Sequence, residues 1–205
     1  MPDVNFYLEE LTTRYPALQE CREQIQAAFV ILSEAYHRGG KLLVCGNGGS
    51  AADAEHIVGE LMKGFHSQRP LSPEDKEKYG VYASKLQQAL PAISLTQHTA
   101  LNTAFSNDVA PEMVYAQQVY GYGAPGDVFL GISTSGNSAN VIHAAHVARE
   151  KGLKVLSLTG RSGGELLKLS DVCIHVPAVE TYQVQELHLP VYHALCSMLE
   201  TEFFG

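Results

Sequence analysis

Residues 41–65, KLLVCGNGGSAADAEHIVGELMKGF, contain three local patterns in a row. The short apolar run Leu42–Cys45 is typical of a buried strand, and glycines dominate the turn Gly46–Ser50 that follows it. From Ala51 onward, good helix formers predict a helix. This order of strand, glycine turn and helix predicts an α/β unit in which backbone N–H groups at the helix N-terminus can bind an anion.

The glycine turn also has a simpler interpretation, because any α/β crossover can use such a turn. Gly46, Gly48 and Gly49 do not have the G-x-G-x-x-G spacing of a dinucleotide fingerprint, and no Gly-Lys-Ser/Thr follows as in a P-loop. Ser50 is a residue type that suits a helix N-cap. The turn therefore indicates an anion site without a nucleotide motif.

His56 and Glu60 are four residues apart and so lie on the same face of the predicted helix. A polar pair just beyond an anion site can carry out acid–base or metal chemistry. Taken alone, such a pair more often belongs to a solvated helix face.

Length and composition are those of an ordinary globular domain: 205 residues, of which 45% are hydrophobic. We interpret residues 1–205 as a single domain, with N-terminal helices at 1–40 and an α/β core at 41–205. The formal net charge of −8 argues against direct nucleic-acid binding and against an anionic membrane surface as partner.

The four cysteines, at positions 21, 45, 173 and 196, are far apart and show no C-x-x-C spacing. Buried free thiols are therefore expected rather than a zinc knot or a disulfide framework. The first residues, MPDVNFYLEEL, lack the features of a signal peptide, and no apolar run reaches transmembrane length. We expect a cytoplasmic protein with no membrane partner.

Short apolar runs alternate with helical patterns along the rest of the chain. They predict strands at 91–95, 128–132, 154–158 and 172–176, and hence a parallel sheet of about five strands with right-handed crossovers. Long helical patterns at 3–38 and 181–204 flank this core. Between the first two strands, 66–90 is interpreted as a surface excursion or lid with a helix at 83–90, and 106–108 as a polar loop.

A second polar turn, Ser133–Ser138, follows the strand at 128–132 and precedes a helix at 139–151. Five of its six residues carry a side-chain hydroxyl or amide, so it can bind phosphate oxygens without a lysine. A serine-rich loop with an N-cap is the alternative. Both polar turns fall at the carboxyl ends of strands, where open α/β sheets bind ligands.

The C-terminal helical pattern, 181–204, carries more polar residues than packing requires. Gln185 and His193 are eight apart and Glu186 and His193 seven apart, so these side chains lie on one side of the helix. Pro190 interrupts the backbone hydrogen-bond ladder and is expected to kink the helix. Either histidine of this segment can equally be a solvated or core residue.

The chain resembles the SIS (sugar isomerase) domain family, and in particular its phosphoheptose isomerase branch. The motifs behind the resemblance span nearly the whole chain: CGNGGSAADAEHIVGEL at 45–61, SND at 106–108, GDVFLGISTSGNSANVI at 126–142, LTGRSGG at 158–164 and VQELHLPVYH at 184–193. The resemblance implies a three-layer αβα fold with a five-stranded parallel sheet. It also implies a homotetramer with active sites between subunits.

The resemblance further implies roles for individual residues. Glu60 corresponds to the catalytic base and His193 to the catalytic acid. One Zn²⁺ per subunit would be bound by His56, Glu60, Gln185 and His193. The positions that correspond to substrate-binding residues are Asn47, Gly48, Gly49, Ser50, Glu60, Asn107, Asp108, Ser133, Thr134, Ser135, Ser138 and Gln185.

The implied reaction is the conversion of sedoheptulose 7-phosphate to D-glycero-D-manno-heptose 7-phosphate through an enediol(ate), for heptose precursor synthesis. The residue types fit, because a carboxylate can move the carbon-bound proton and an imidazole the oxygen-bound proton near neutral pH. Two alternatives remain. One is an isomerase of another sugar phosphate, and the other is a non-catalytic SIS protein that binds sugar phosphates or the replication initiator DnaA.

Overall fold

The computed structural model describes residues 3–205, whose centre is a sheet of five parallel strands. The strands are β1 (Leu42–Gly46), β2 (Ala92–Ser94), β3 (Val128–Ser133), β4 (Lys154–Thr159) and β5 (Val172–His175). All five coincide, to within one or two residues, with the strands predicted from the apolar runs. Their spatial order is β2-β1-β3-β4-β5.

The strand order places β1 and β3 side by side and brings their C-terminal ends together, although 81 residues lie between the two strands in the sequence. Gly46 at the end of β1 is in register with Ile132, one residue before the end of β3. The chain leaves β1 toward β2 on one side and later returns to β3 on the other, so this is the switch point of the sheet. Ligands of open α/β sheets bind at such a point.

Helices cover both faces of the sheet. The α-helices are α1 (Val4–Arg14), α2 (Arg22–His37), α3 (Gly49–Met62), α4 (Pro73–Tyr79), α5 (Thr99–Asp108), α6 (Val114–Tyr122), α7 (Ala139–Glu150), α8 (Leu166–Leu169) and α9 (Thr181–Phe204). Short 3₁₀ turns occupy Pro16–Cys21, Gly80–Lys85 and Pro111–Met113.

Two hydrophobic cores show how these helices are layered. Alternate residues of β1 face opposite sides, so Leu42 and Val44 join a core with α1, α2, α3 and α9. Leu43 and Cys45 join the other core, with α6, α7 and α8. The three-layer αβα fold is therefore confirmed. No helix in the described range 3–205 is both long and apolar enough to cross a membrane.

Three local predictions were wrong. Residues 83–90 do not form a helix: a 3₁₀ turn ends at Lys85, and Gln87 bridges Pro70 in antiparallel fashion. Residues 106–108 are not a loop but the last turn of α5, since Asp108 ends that helix. Ser50 is not the N-cap of α3, because Gly48 occupies that position and the helix already includes Gly49.

Candidate active site

Close backbone packing explains the glycines of the β1–α3 turn. A Cβ atom at Gly46 would lie 2.5 Å from the carbonyl oxygen of Ser50, so the first turn of α3 folds directly over the end of β1. Gly48 has φ +56, a conformation that side chains disfavour. A Cβ atom at Gly49 would lie 2.6 Å from the side-chain nitrogen of Gln185. The turn therefore places Gln185 of α9 against the N-terminus of α3.

The β3–α7 turn is the second predicted anion site, and a neighbouring loop supports it. Ser133 Oγ and Ser138 Oγ are 2.9 Å apart, and the backbone N–H of Asn137 donates to Ser135 Oγ at 3.1 Å. From the β4–α8 loop, the N–H of Gly160 donates to the carbonyl of Thr134 at 2.9 Å. These bonds fix the hydroxyl-rich turn without a cation.

An amide pair connects the two turns. Asn47 Nδ2 donates to Asn140 Oδ1, and Asn140 Nδ2 donates to Asn47 Oδ1, both at 2.9 Å. The hydroxyl of Tyr115 donates to the carbonyl of Gly46 at 2.8 Å and so supports the same turn from the other core. The two predicted anion sites are therefore one continuous polar rim at the switch point of the sheet.

Three side chains from α3 and α9 meet at one atom. His56 Nε2 lies 3.2 Å from Glu60 Oε1 and 3.5 Å from His193 Nε2. His56 and Glu60 share a face of α3, as their spacing predicted. Helix α9 packs against α3 and contributes His193. The structure thus brings together a carboxylate and two imidazoles that are up to 137 residues apart in the chain.

A tyrosine and an aspartate lie behind His56. The Tyr192 hydroxyl is 3.0 Å from His56 Nδ1 and donates to Asp53 Oδ1 at 3.3 Å. Burial raises the pKa of Asp53, and the bond from Tyr192 and the proximity of His56 oppose that rise in part. Burial raises the pKa of Tyr192 as well, and the Asp53 charge adds to the effect, so this hydroxyl keeps its proton. Tyr192, supported by Asp53, therefore fixes the orientation of the His56 ring through its Nδ1 atom.

The environment of His193 favours its neutral form. Partial burial lowers its pKa, the neighbouring His56 lowers it further, and the Glu60 carboxylate opposes both effects. The Phe65 ring lies 5.6 Å from the His193 ring and shields it on one side. A neutral imidazole at neutral pH can both accept and donate a proton.

Several predicted site residues are not brought to this cluster. Asn107 and Asp108 are exposed at the end of α5, where Asn107 Nδ2 donates to Asp108 Oδ1 at 2.8 Å. Ser50 is only 3% exposed and presents little surface to a ligand. Of the remaining predicted substrate-binding residues, Glu60 lies in the cluster itself. The others belong to the polar rim or border it: Asn47, Gly48, Gly49, Ser133, Thr134, Ser135, Ser138 and Gln185.

Comparison with known proteins identifies this architecture. Residues 6–75 and 76–160 match the SIS domain family. The chain belongs to the SIS domain family. Among its relatives is a phosphoheptose isomerase from Roseiflexus sp., 45% identical over 171 residues that cover 83% of this chain and 78% of the relative. The resemblance inferred from the motifs is therefore confirmed.

Solved structures agree with the SIS assignment. Phosphoheptose isomerase GmhA from Neisseria gonorrhoeae superimposes with a TM-score of 0.75 at 34% identity, covering 94% of this chain and 98% of that one. A phosphoheptose isomerase from Francisella tularensis gives a TM-score of 0.76 at 30% identity, covering 97% and 96%. These two matches place the chain in the phosphoheptose isomerase branch of the SIS family.

The geometry of the SIS site can be compared with what zinc requires. Zinc bonds of about 2.0–2.1 Å in a tetrahedron place neighbouring ligand atoms about 3.3 Å apart. The separations of 3.2 Å and 3.5 Å around His56 Nε2 are close to that value. Among residues 3–205, however, no group of three or more His, Cys, Asp or Glu side chains is placed so that it could hold a metal ion. The donor types of His56, Glu60 and His193 are ones that zinc accepts, and the fourth expected ligand, Gln185, is an amide.

Asn140, Tyr192 and Tyr115 are site residues that the sequence reasoning missed. Asn140 stands two residues beyond the second polar turn, and only the strand order places it beside Asn47. Tyr192 directly precedes His193, so it points to a different face of α9 and looks like a core residue in the pattern. Its contact with Asp53 follows only from how α9 packs on α3.

Proposed function

We propose that this chain is a ketose–aldose isomerase that converts sedoheptulose 7-phosphate to D-glycero-D-manno-heptose 7-phosphate through an enediol(ate). The observation that carries the proposal is the meeting of Glu60 and His193 on either side of His56 Nε2. The phosphoheptose isomerase relatives support the choice of substrate class.

Substrate positioning is assigned to the polar rim. The hydroxyls of Ser135 and Ser138 and the N-termini of α3 and α7 supply donors for phosphate oxygens, while the buried Ser133 supports Ser138 from beneath. Because the phosphate lies far from C1 and C2, its binding energy orients the sugar without contacting the reacting carbons.

Proton transfer is assigned to Glu60 and His193. The Glu60 carboxylate removes a proton from C1 of the ketose, while a proton from His193 reaches the C2 oxygen, which gives the enediol. The proton on the C1 oxygen then leaves to His193, and Glu60 returns its proton to C2. These steps leave an aldehyde at C1 and a hydroxyl at C2, with no net gain or loss of protons. One imidazole thus gives and regains a proton in turn, which is the acid–base exchange that histidine supplies near neutral pH.

We also propose one Zn²⁺ per subunit, bound by His56, Glu60, Gln185 and His193. When bound, zinc would polarise the carbonyl and the adjacent hydroxyl of the sugar. The test is metal analysis of the purified protein together with isomerase assays after dialysis against a chelator. An unchanged rate in metal-free protein would remove zinc from the proposal.

The homotetramer with active sites between subunits is likewise a proposal. Asn107 and Asp108 support it, because both are exposed at the end of α5 and are therefore open to a site on a neighbouring subunit. Light scattering tests it, and a monomer at micromolar concentration would contradict it.

A cytoplasmic location is supported by the burial of all four free cysteines.

Site variants test the isomerase directly. Glu60→Gln and His193→Asn should each lower kcat on sedoheptulose 7-phosphate at least 100-fold, because general acid–base groups contribute about 10²–10⁴-fold. Glu150→Gln and His146→Asn, both exposed on α7, are matched controls that should retain wild-type kcat. Wild-type protein without turnover of this substrate would refute the heptose assignment and leave a different sugar phosphate or a non-catalytic role.

A further inference from the structure

Arg69 and Glu200 form a fully buried ion pair below the site. Arg69 Nε lies 2.7 Å from Glu200 Oε1, and both side chains are 0% exposed. Two buried charges are costly to the fold unless hydrogen bonds satisfy their remaining atoms. The partners that satisfy them are backbone groups of Glu60, Leu61, Phe65 and His66.

Arg69 binds the C-terminal end of α3, the helix that carries Glu60. Its Nη1 donates to the carbonyl of Leu61 at 2.7 Å, and its Nη2 donates to the carbonyl of Glu60 itself at 3.0 Å. The guanidinium also lies over the Phe204 ring, 4.7 Å from its centroid. Arg69 has φ +45, an unusual value for a residue with a side chain. Arg69 therefore fixes the position at which α3 ends.

Glu200 binds the segment that leaves α3. Its Oε1 accepts the backbone N–H of Phe65 at 2.8 Å, and its Oε2 accepts that of His66 at 2.6 Å. Burial raises the pKa of Glu200, but these two N–H groups and Arg69 outweigh it and lower the pKa overall. The carboxylate is therefore charged at neutral pH and makes three hydrogen bonds.

The same segment contacts His193. Phe65 packs near the His193 ring, and His66 Nε2 lies 2.8 Å from Ser197 Oγ. Ser197 Oγ in turn donates to the backbone carbonyl of His193 at 2.8 Å. Glu200 and His193 are two turns apart on α9. One buried ion pair thus reaches the backbone of Glu60 on one side and the surroundings of His193 on the other.

We propose that Arg69 and Glu200 are positioning residues that hold Glu60 and His193 at the separation needed for proton transfer. Neither residue touches the substrate. The inference rests on the proposed isomerase function, since it assigns a role within the same site. A displacement of a catalytic group by about 1 Å can lower the rate about 100-fold.

The test uses the full chain with three variants. Glu200→Gln removes the charge and keeps the shape, while the double variant Arg69→Met/Glu200→Met replaces the pair by apolar side chains, which often restores stability. Glu202→Gln is the matched control on the same helix, because Glu202 is exposed and its Oε1 lies 3.0 Å from His37 Nε2, away from the buried pair. Steady-state kinetics, thermal unfolding and NMR of ¹³C-labelled histidine rings are measured for each.

We expect kcat to fall 10- to 100-fold in Glu200→Gln and in the double variant, with KM within about 2-fold of wild type because the polar rim is untouched. The His193 ring signal should shift in both variants and stay unchanged in Glu202→Gln. A double variant that folds and retains wild-type kcat overturns the proposal. Failure of both variants to fold overturns it as well, because the pair would then serve stability alone.

Failure of the proposed function has a different signature. Wild-type protein that turns over no sedoheptulose 7-phosphate refutes the isomerase assignment, and the NMR measurement then decides the positioning role without turnover. A His193 signal that shifts in Glu200→Gln supports the role in that case, and an unshifted signal contradicts it.

Discussion

Replacing Tyr192 by phenylalanine tests whether the orientation of His56 controls the site. The change removes one hydroxyl and keeps the ring, which is 2% exposed. Two contacts are lost, the 3.0 Å contact with His56 Nδ1 and the 3.3 Å bond to Asp53 Oδ1. Asp53 is then left without a partner for either carboxylate oxygen, because its Oδ2 already lacks one.

The expected magnitudes follow from these losses. An unsatisfied buried acceptor costs about 1–3 kcal/mol, which for a chain of this size lowers Tm by about 2–12 °C. Loss of a residue that orients a catalytic or metal-binding histidine costs about 10- to 100-fold in activity or metal affinity. We therefore expect kcat to fall by about that factor, while KM stays near wild type because the polar rim is unchanged.

The assay compares steady-state kinetics and thermal unfolding of Tyr192→Phe with those of Tyr36→Phe. Tyr36 is also buried, and its hydroxyl donates to the carbonyl of Pro91 at 3.3 Å, away from the site. The control should lose stability and retain kcat. If Tyr192→Phe retains kcat within 2-fold while losing stability, the hydroxyl serves only the fold and the reasoning about His56 is refuted.

Two further predictions concern the rim and the acid stability of the fold. Gly136→Ala should raise KM about 10-fold or more, because Gly136 has φ +67 and an added Cβ would collide with the Gly163 carbonyl. Gly39→Ala is the control: Gly39 has φ +78 but open space around it, so this change should lower stability alone. Equal KM values in the two variants would contradict the assignment of substrate binding to the polar rim. Burial raises the pKa of Asp171, but Lys154 and the backbone N–H of Val155 outweigh burial and lower the pKa overall. The ionised Asp171 therefore stabilises the fold at pH values above its unfolded pKa, and this stabilisation is lost as pH falls through its folded pKa. Asp171→Asn should therefore lower Tm at pH 7 and match wild type in strong acid, and a Tm difference that persists there would refute the linkage.

Local patterns in the sequence were sufficient to predict the strands, the two polar turns and the His56–Glu60 pair. Each strand is a short apolar run bounded by turn residues, and the polar turns follow β1 and β3 directly. His56 and Glu60 could be paired by helical spacing alone. Two of the three predictions that failed, at 83–90 and 106–108, concern segments where no apolar stripe faces the core and where tertiary contacts such as the Pro70–Gln87 bridge decide the conformation.

Long-range contacts could not be read from spacing. The Asn47–Asn140 pair requires β1 and β3 to be neighbours, and strand order is not encoded in any one segment. The Arg69–Glu200 pair joins residues 131 apart, and each of them looks like an ordinary surface charge in the sequence. Sequence therefore predicts which elements carry the site, whereas packing determines which side chains support it.

The way this chain would bind phosphate has a consequence for its salt dependence. The chain has a net charge of −8, so the field of the whole protein repels a sugar phosphate. Arg161, the basic residue of the loop that supports the β3–α7 turn, directs its guanidinium to the Pro177 carbonyl and toward Glu20 rather than to the rim. Binding then depends on short-range donors, namely hydroxyls and backbone N–H groups, whose strength added salt screens little. Added salt instead screens the long-range repulsion, so KM should stay constant or fall slightly as ionic strength rises, opposite to the increase expected for a site built from lysines.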